Sequence, residues 1–163
     1  MQIRAGILTI SDKGSVGERE DTSGAAIREL LSTLDVAFDR YEIVPDEVDQ
    51  IAARLRDWAD GDKLDLIFTT GGTGFAPRDV TPEATLAVIE RATPGLAEAI
   101  RLEGLRHTPN AVLSRGVAGL RGKTIIINLP GSERAVRESL GCLLPVLEHA
   151  VKTARGRYGD HTV

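Results

Sequence analysis

At 163 residues and 42% hydrophobic composition, the chain has the length of one domain and can bury roughly 70% of the surface its unfolded form exposes. Its net charge of -4 comes from 24 acidic against 20 basic side chains, and the basic ones are scattered, which argues against nucleic acid and membrane as partners. The single cysteine, Cys142, allows no internal disulfide, no Cys/His spacing resembles a zinc site, no signal sequence opens the chain, and no apolar run approaches the roughly 18 residues of a membrane span; the expected compartment is the cytoplasm.

Ile3 to Ile10 is a nearly continuous apolar run, the pattern of a strand buried on both faces. Ser11 to Asp21 reads as a charged, glycine-containing loop, after which Thr22 or Ser23 caps a helix carrying Ala26, Ile27, Leu30, Leu31 and Leu34 at helical spacing. Phe38 to Val44 alternates like a strand, and Pro45-Asp46-Glu47 opens a second amphipathic helix with Val48, Ile51, Leu55 and Trp58 on one face, ending at Gly61. Leu64 to Thr70 is the third strand. Thr81 as N-cap with Pro82 behind it starts a helix through about Ala92, and Thr93-Pro94 repeats that signal for a fourth helix. Ala111 to Leu120 is a mixed stretch with the outline of a shorter strand, Arg121-Gly122-Lys123 turns the chain, and Thr124 to Leu129 is a β-branched strand. Ser132 caps a C-terminal helix containing Val136, Leu140, Leu143 and Leu144, which Pro145 kinks or restarts, and the polar residues after about Ala154 read as a loosely held tail.

This alternation specifies an α/β fold, a three-layer sandwich with a mostly parallel central sheet, and residues 1–163 read as a single domain. Ligands of such sheets bind outside the carboxyl ends of the strands, near a switch in strand order. The unusual residues follow strand ends: Ser11 and Asp12 the first, Asp46 the second, Gly71 to Asp79 the third, and Asn128 to Ser132 the last.

The stretch TTGGTGFAPRDVTPEAT, residues 69–85, holds the densest chemistry. Gly71, Gly72 and Gly74 let the backbone approach a ligand and aim N–H groups at it, and a helix N-terminus beyond favours anions, which together suggest phosphate. No Gly-Lys-Ser/Thr follows, and Pro77 stands where a dinucleotide fingerprint has its third glycine, so a tight strand-to-helix connection is the alternative. Asp46 can equally cap a helix, and Asp79 can cap a turn or pair with Arg78. Asp12, Asp46 and Asp79 nevertheless share one sheet edge, and carboxylates beside polyphosphate require a divalent cation such as Mg2+ between them. Ser114-Arg115 and Ser132 are candidate anion contacts, with a surface arginine and a helix cap as the alternatives. The three histidines show no partner spacing.

The glycine-rich stretch resembles the signature of the molybdopterin adenylyltransferases, that is, the MogA/MoaB type proteins and the G domain of gephyrin. The resemblance extends to TISD at 9–12, EDTSG at 20–24, VPDE at 44–47, LSR at 113–115 and RGKTIIINLPGS at 121–132. It implies an ATP- and Mg2+-dependent step of molybdenum cofactor synthesis, in which the terminal phosphate of molybdopterin attacks the α-phosphate of ATP, giving adenylated molybdopterin and pyrophosphate. It further implies that Asp46 and Asp79 are the catalytic and metal-holding aspartates. The backbone of Gly71, Gly72, Thr73 and Gly74, with Ser11 and Asp12, would hold nucleotide, and Ser114, Asn128, Pro130, Gly131 and Ser132 would help to hold the pterin or its phosphate. A homotrimer and hand-over of product to a molybdenum-inserting enzyme are also implied. A non-catalytic molybdopterin-binding or carrier role is the alternative, with nucleotide hydrolysis ranked lower.

Overall fold

The computed structural model describes residues 1–157. Strands β1 (Ile3–Ile10), β2 (Val36–Val44), β3 (Leu66–Thr70) and β6 (Thr124–Leu129) run parallel, while β4 (Arg91–Ala92) and β5 (Ala118–Arg121) run antiparallel at one edge, in the order β2-β1-β3-β6-β5-β4. The chain moves outward from β1 to β2 and then crosses to β3 on the other side of β1. Strand order therefore reverses between β1 and β3, which opens a crevice at their carboxyl ends.

Helices cover both faces. Ile7, Phe68 and Ile127 point into one core with residues of α2 (Thr22–Leu31), α5 (Pro94–Leu105), α6 (Glu133–Ser139) and α7 (Leu144–Ala154). Their strand neighbours Leu8, Ile67 and Ile126 point the other way, into a core with Ile51 and Leu55 of α3 (Val48–Arg56) and Ala84 of α4 (Thr81–Leu86). Because central strands are apolar on both faces, they read as unbroken hydrophobic runs. The three-layer α/β sandwich is the expected one.

Several boundaries differ from expectation for physical reasons. Ser11 to Asp21 opens with a helical turn, α1 (Asp12–Ser15), because the Ser11 hydroxyl accepts from the Gly14 N–H. The cap of α2 is Asp21 rather than Thr22 or Ser23; its carboxylate accepts from the Gly24 N–H. Trp58 lies in a π turn, Asp57–Gly61, after α3 has ended. Strand β2 starts two residues earlier than expected and β3 two later. Helix α4 stops at Leu86 instead of Ala92, and the chain turns into β4, held by Arg91 and Ala92 pairing with Leu120 and Gly119.

Thr93 stands at the N-cap of α5 as expected, whereas the N-cap of α4 is Val80 rather than Thr81, and neither threonine hydroxyl makes a capping hydrogen bond. The Thr81 hydroxyl donates to the Gly71 carbonyl, and that of Thr93 is buried without a hydrogen-bond partner among the described residues. Of the stretch Ala111 to Leu120, only Ala118 onward is strand; Pro109–Leu113 is a 3-10 turn capped by Thr108. After α6 and a 3-10 turn, Leu140–Cys142, helix α7 restarts with Pro145 in its first turn, where a missing N–H costs nothing. Arg155 is not loose. Its guanidinium grips buried Asp65 at 2.7 and 2.5 Å and the Gln2 carbonyl at 3.0 Å. The remainder of the expected loose tail, residues 158–163, lies outside the described residues.

Candidate functional site

A cleft of about 480 Å3 opens at the switch point, lined by the ends of β1 (Thr9, Ile10, Ser11) and β3 (Thr70, Gly71, Gly72) and by Asp46, Asp79, Gly131 and Ser132. Three tight turns meet at its floor. Gly71 has φ +100, and a Cβ there would stand 2.3 Å from the Ile10 carbonyl oxygen, while a Cβ on Gly131 would stand 3.1 Å from the Gly71 Cα. Gly72 has φ +67, and a Cβ there would meet the Thr81 hydroxyl at 2.3 Å and Asp46 Oδ1 at 3.2 Å. Only glycine fits at 71 and 72. The Thr81 hydroxyl and N–H then fasten the turn by donating to the carbonyls of Gly71 and Gly72 at 2.9 and 3.1 Å.

Asp46 is not a helix cap. Helix α3 begins after Glu47 with no side-chain cap, and Asp46 instead forms a reciprocal clasp with Asp12. Asp46 Oδ2 accepts from the Asp12 N–H at 2.9 Å, and Asp12 Oδ1 accepts from the Asp46 N–H at 3.0 Å. Two carboxylates brought so close need a cation. Arg78 supplies it, donating from Nε and Nη2 to both Asp12 oxygens at 3.0 and 2.9 Å and from Nη2 to Glu47 at 3.0 Å. Asp12 is therefore held low in pKa, first by Arg78 and then by the Asp46 amide. Its carboxylate serves the clasp and is not among the groups lining the cleft. Asp46 does line it, and its pKa is raised: burial is the main cause, the Asp12 amide opposes it, and the charges of Asp12 and Asp79 add to it.

Asp79 pairs with the Ala76 N–H at 3.0 Å rather than with Arg78, and still reaches the cleft. The Asp46 and Asp79 carboxylates are hard oxygen donors, and Gly72 leaves open the space beside Asp46 Oδ1 that a Cβ would fill. That donor set fits Mg2+ sharing its shell with phosphate and water. Among the described residues no three His, Cys, Asp or Glu side chains converge into a complete protein-made metal site.

The other expected residues divide. Ser11, Gly71, Gly72, Gly131 and Ser132 line the cleft, although the Ser11 and Ser132 hydroxyls also cap helical turns by accepting from the N–H groups of Gly14 and Ala135. Thr73, Gly74 and Asn128 do not line it. Asn128 is buried; its amide donates to the hydroxyls of Thr69 and Thr85 at 2.9 and 3.0 Å and accepts from the Val117 N–H at 3.1 Å, bracing β3, β6 and α4. Ser114 and Pro130 come together in a neighbouring cavity of about 230 Å3, beside Ile100, Arg101 and Thr108. Arg115, a candidate anion contact, is spent as a strut: it donates to the carbonyls of Gly74 and Asp79 at 2.8 Å each and to Glu83 at 2.5 Å, clamping the glycine-rich loop from outside. The dipole expected beyond the loop is weak, since α4 has only six residues.

Asp21 is a cleft residue that spacing alone did not single out. Its carboxylate accepts from the hydroxyls of Thr9 (2.7 Å), Ser23 (3.0 Å) and Tyr41 and from the Gly24 N–H (3.0 Å), tying β1, β2 and α2 together. Burial pushes its pKa upward, but the hydrogen bonds outweigh it and the net shift is down; Tyr41, desolvated and bonded to that charge, is pushed up to about 12. The readable signal was an aspartate with a glycine three residues on, a side-chain cap one position ahead of the assumed one.

Among known proteins, the chain is 45% identical over 158 residues to the molybdopterin adenylyltransferase of Helicobacter pylori (strain J99), covering 96% of this chain and 90% of that one. It is 49% identical over 150 residues to the molybdenum cofactor synthesis protein cinnamon of Drosophila melanogaster, covering 91% of this chain and only 25% of that longer protein. The structure superposes on the molybdopterin biosynthesis enzyme MoaB of Thermus thermophilus with a TM-score of 0.90 at 58% identity, over 94% of this chain and 97% of that one. Residues 6–149 match the family described as "Probable molybdopterin binding domain". With that match spanning both turns of the Asp12–Asp46 clasp and the whole glycine-rich loop, the chain belongs to the molybdopterin-binding domain family.

Proposed function

We infer that the chain is a molybdopterin adenylyltransferase, which joins AMP from ATP to the terminal phosphate of molybdopterin and releases pyrophosphate. The observation that carries this reading is the pair Asp46 and Asp79, two carboxylates facing one cleft over the Gly71–Gly72 turn at the switch point of the sheet. Full-length similarity to a protein of that name supports it. No helix among the described residues is long and apolar enough to cross a membrane.

The substrate brings its own nucleophile. A phosphate monoester, with its second pKa near 6, is ionised at neutral pH, so no side chain has to be deprotonated before attack. One of its oxygens forms a bond to the α-phosphorus of ATP while the bond between that phosphorus and the α–β bridging oxygen breaks, and the electron pair leaves with pyrophosphate. The chain's task is to hold the two phosphates in line and to place charge where it develops. The Gly71–Gly72 turn lets backbone approach the phosphates closely. Asp46 and Asp79 would hold the cation, with Asp46 fixed by the Asp12 clasp and Asp79 by the Ala76 N–H. A Mg2+ ion held by these two carboxylates would supply charge neutralisation for the triphosphate and the departing pyrophosphate.

In this reading the protein is cytoplasmic, assembles as a homotrimer and passes its product to a molybdenum-inserting enzyme. Exposed Leu102 and Leu105 of α5, with Val112 and Leu113 of the 3-10 turn packed against it, offer an apolar face for the assembly. The deciding experiment incubates purified protein with molybdopterin, ATP and Mg2+ and identifies the products. Adenylated molybdopterin with equimolar pyrophosphate is expected. AMP formed without pterin indicates a hydrolase, and pterin binding without either product indicates a carrier.

A further inference from the structure

Resting on that reading, we propose that Arg19 is the phosphate-binding side chain of the cleft. Five acidic residues line it, Glu20, Asp21, Asp46, Asp79 and Glu133, against one basic residue, Arg19. Two substrates that each carry phosphate must enter this acidic space, and one divalent cation leaves most of the repulsion in place.

The nearby guanidinium groups are committed elsewhere. Arg78 bridges Asp12 and Glu47, Arg115 clamps the glycine-rich loop, and Arg28 lies over the rings of Phe38 and Tyr41. Arg19 has no carboxylate within 4 Å among the described residues, although acidic residues surround it. Its backbone is nonetheless placed. The Glu18 N–H donates to the Lys13 carbonyl at 2.9 Å just before it, the Thr22 N–H donates to the Glu20 carbonyl at 3.2 Å just after it, and Asp21, two residues on, is anchored by four hydrogen bonds. A long side chain is thus held at the rim by a fixed backbone and left free to turn inward. The guanidinium fork then meets phosphate oxygens two at a time, which a lysine cannot do.

The test measures equilibrium binding of MgATP and, separately, of molybdopterin to the wild-type protein, Arg19→Ala and Arg19→Lys, together with adenylated-pterin formation and thermal midpoints. Arg19→Ala is expected to weaken one of the two ligands about tenfold or more and to raise the matching KM more than it lowers kcat. Arg19→Lys should recover part of the loss, the salt dependence of that ligand's binding should flatten in Arg19→Ala, and the thermal midpoint should stay, since the side chain is exposed. A loss confined to MgATP assigns Arg19 to the triphosphate, and one confined to molybdopterin assigns it to the pterin phosphate; either upholds the proposal. Wild-type affinity of Arg19→Ala for both ligands overturns it while active wild-type protein keeps the adenylyltransferase reading. Weakened binding in a protein whose wild type makes no adenylated pterin does the reverse.

Discussion

Replacing Asp46 by Asn separates the charge of that residue from its shape. The asparagine retains a side-chain oxygen able to accept from the Asp12 N–H, the contact that wild-type Asp46 makes at 2.9 Å, so the clasp between the turns survives. What goes is one of the two carboxylates, Asp46 and Asp79, that line the cleft over the Gly71–Gly72 turn. Losing it should lower turnover by about a hundredfold or more, equivalent to roughly 2.7 kcal/mol of transition-state stabilisation. Stability should move the other way. Burial, reinforced by the charges of Asp12 and Asp79, raises the Asp46 pKa even though the Asp12 amide and Arg78 oppose it. A carboxyl raised in this way contributes stability that is fully present below the ordinary aspartate pKa and lost as pH rises through the folded value. At about pH 7 its charge therefore burdens the fold, and Asp46→Asn should melt no lower than the parent, with its advantage shrinking as pH falls towards about 4. The assay pairs adenylated-pterin formation with thermal unfolding at the two pH values. Wild-type turnover would refute the metal-holding role, and a midpoint several degrees lower at neutral pH would show that the carboxylate chiefly holds the turn.

Gly71→Ala should cost about 2 kcal/mol or more in urea unfolding, because φ is +100 and the new Cβ would lie 2.3 Å from the Ile10 carbonyl oxygen; an unchanged midpoint would refute that steric reading. Arg155→Met strands buried Asp65 and should cost about 3–5 kcal/mol, with Asp65→Asn in the same chain restoring much of it; if the double variant is as unstable as the single, the stranded charge is not the cause. For Asp21, burial raises the pKa but hydrogen bonds from Thr9, Tyr41, Gly24 and Ser23 bring it below the usual range. The stability this gives is present above the ordinary aspartate value and lost as pH falls through the folded one, so acid unfolding of Asp21→Asn should depend less steeply on pH than that of the parent, and parallel curves would contradict the assignment. Light scattering should give about three times the mass of the 17.5 kDa chain; a monomer at micromolar concentration would end the trimer proposal.

The central parallel strands were legible because a strand buried on both faces is mostly apolar, and Thr124 to Leu129, with every residue buried, is apolar at four of its six positions. Helix α4 was overextended because Val88 and Ile89 continue its apolar spacing, while its end is set by β4 pairing with β5, nearly thirty residues away on the chain by the register of Arg91 with Leu120. Pairing across such a distance leaves no local mark. The site divided along the same line. Asp46 and Asp79 could be singled out because each follows a strand end on the ligand-binding edge. The work of Asp12 and Arg115 could not, because their partners, Asp46 and the glycine-rich loop, lie far along the chain, and of Asp21 only the local cap to Gly24 was readable, not its bonds to Thr9 and Tyr41.

These long-range partners also explain why the cleft is so acidic. Arg78, itself on the loop that carries Asp79, reaches away from it to Asp12 and Glu47, and Arg115 clamps that loop through Glu83 and the carbonyls of Gly74 and Asp79, so neither guanidinium lines the cleft. Their charges hold the loop's shape without entering the space it encloses. A guanidinium turned inward would pair with Asp46 and Asp79 and take the place of the cation proposed for them. In the proposed function, keeping the scaffolding cations outside would leave the two carboxylates free for a metal arriving with the substrate phosphates. The same arrangement leaves Arg19, at the rim, as the basic side chain with access to those phosphates once they are inside.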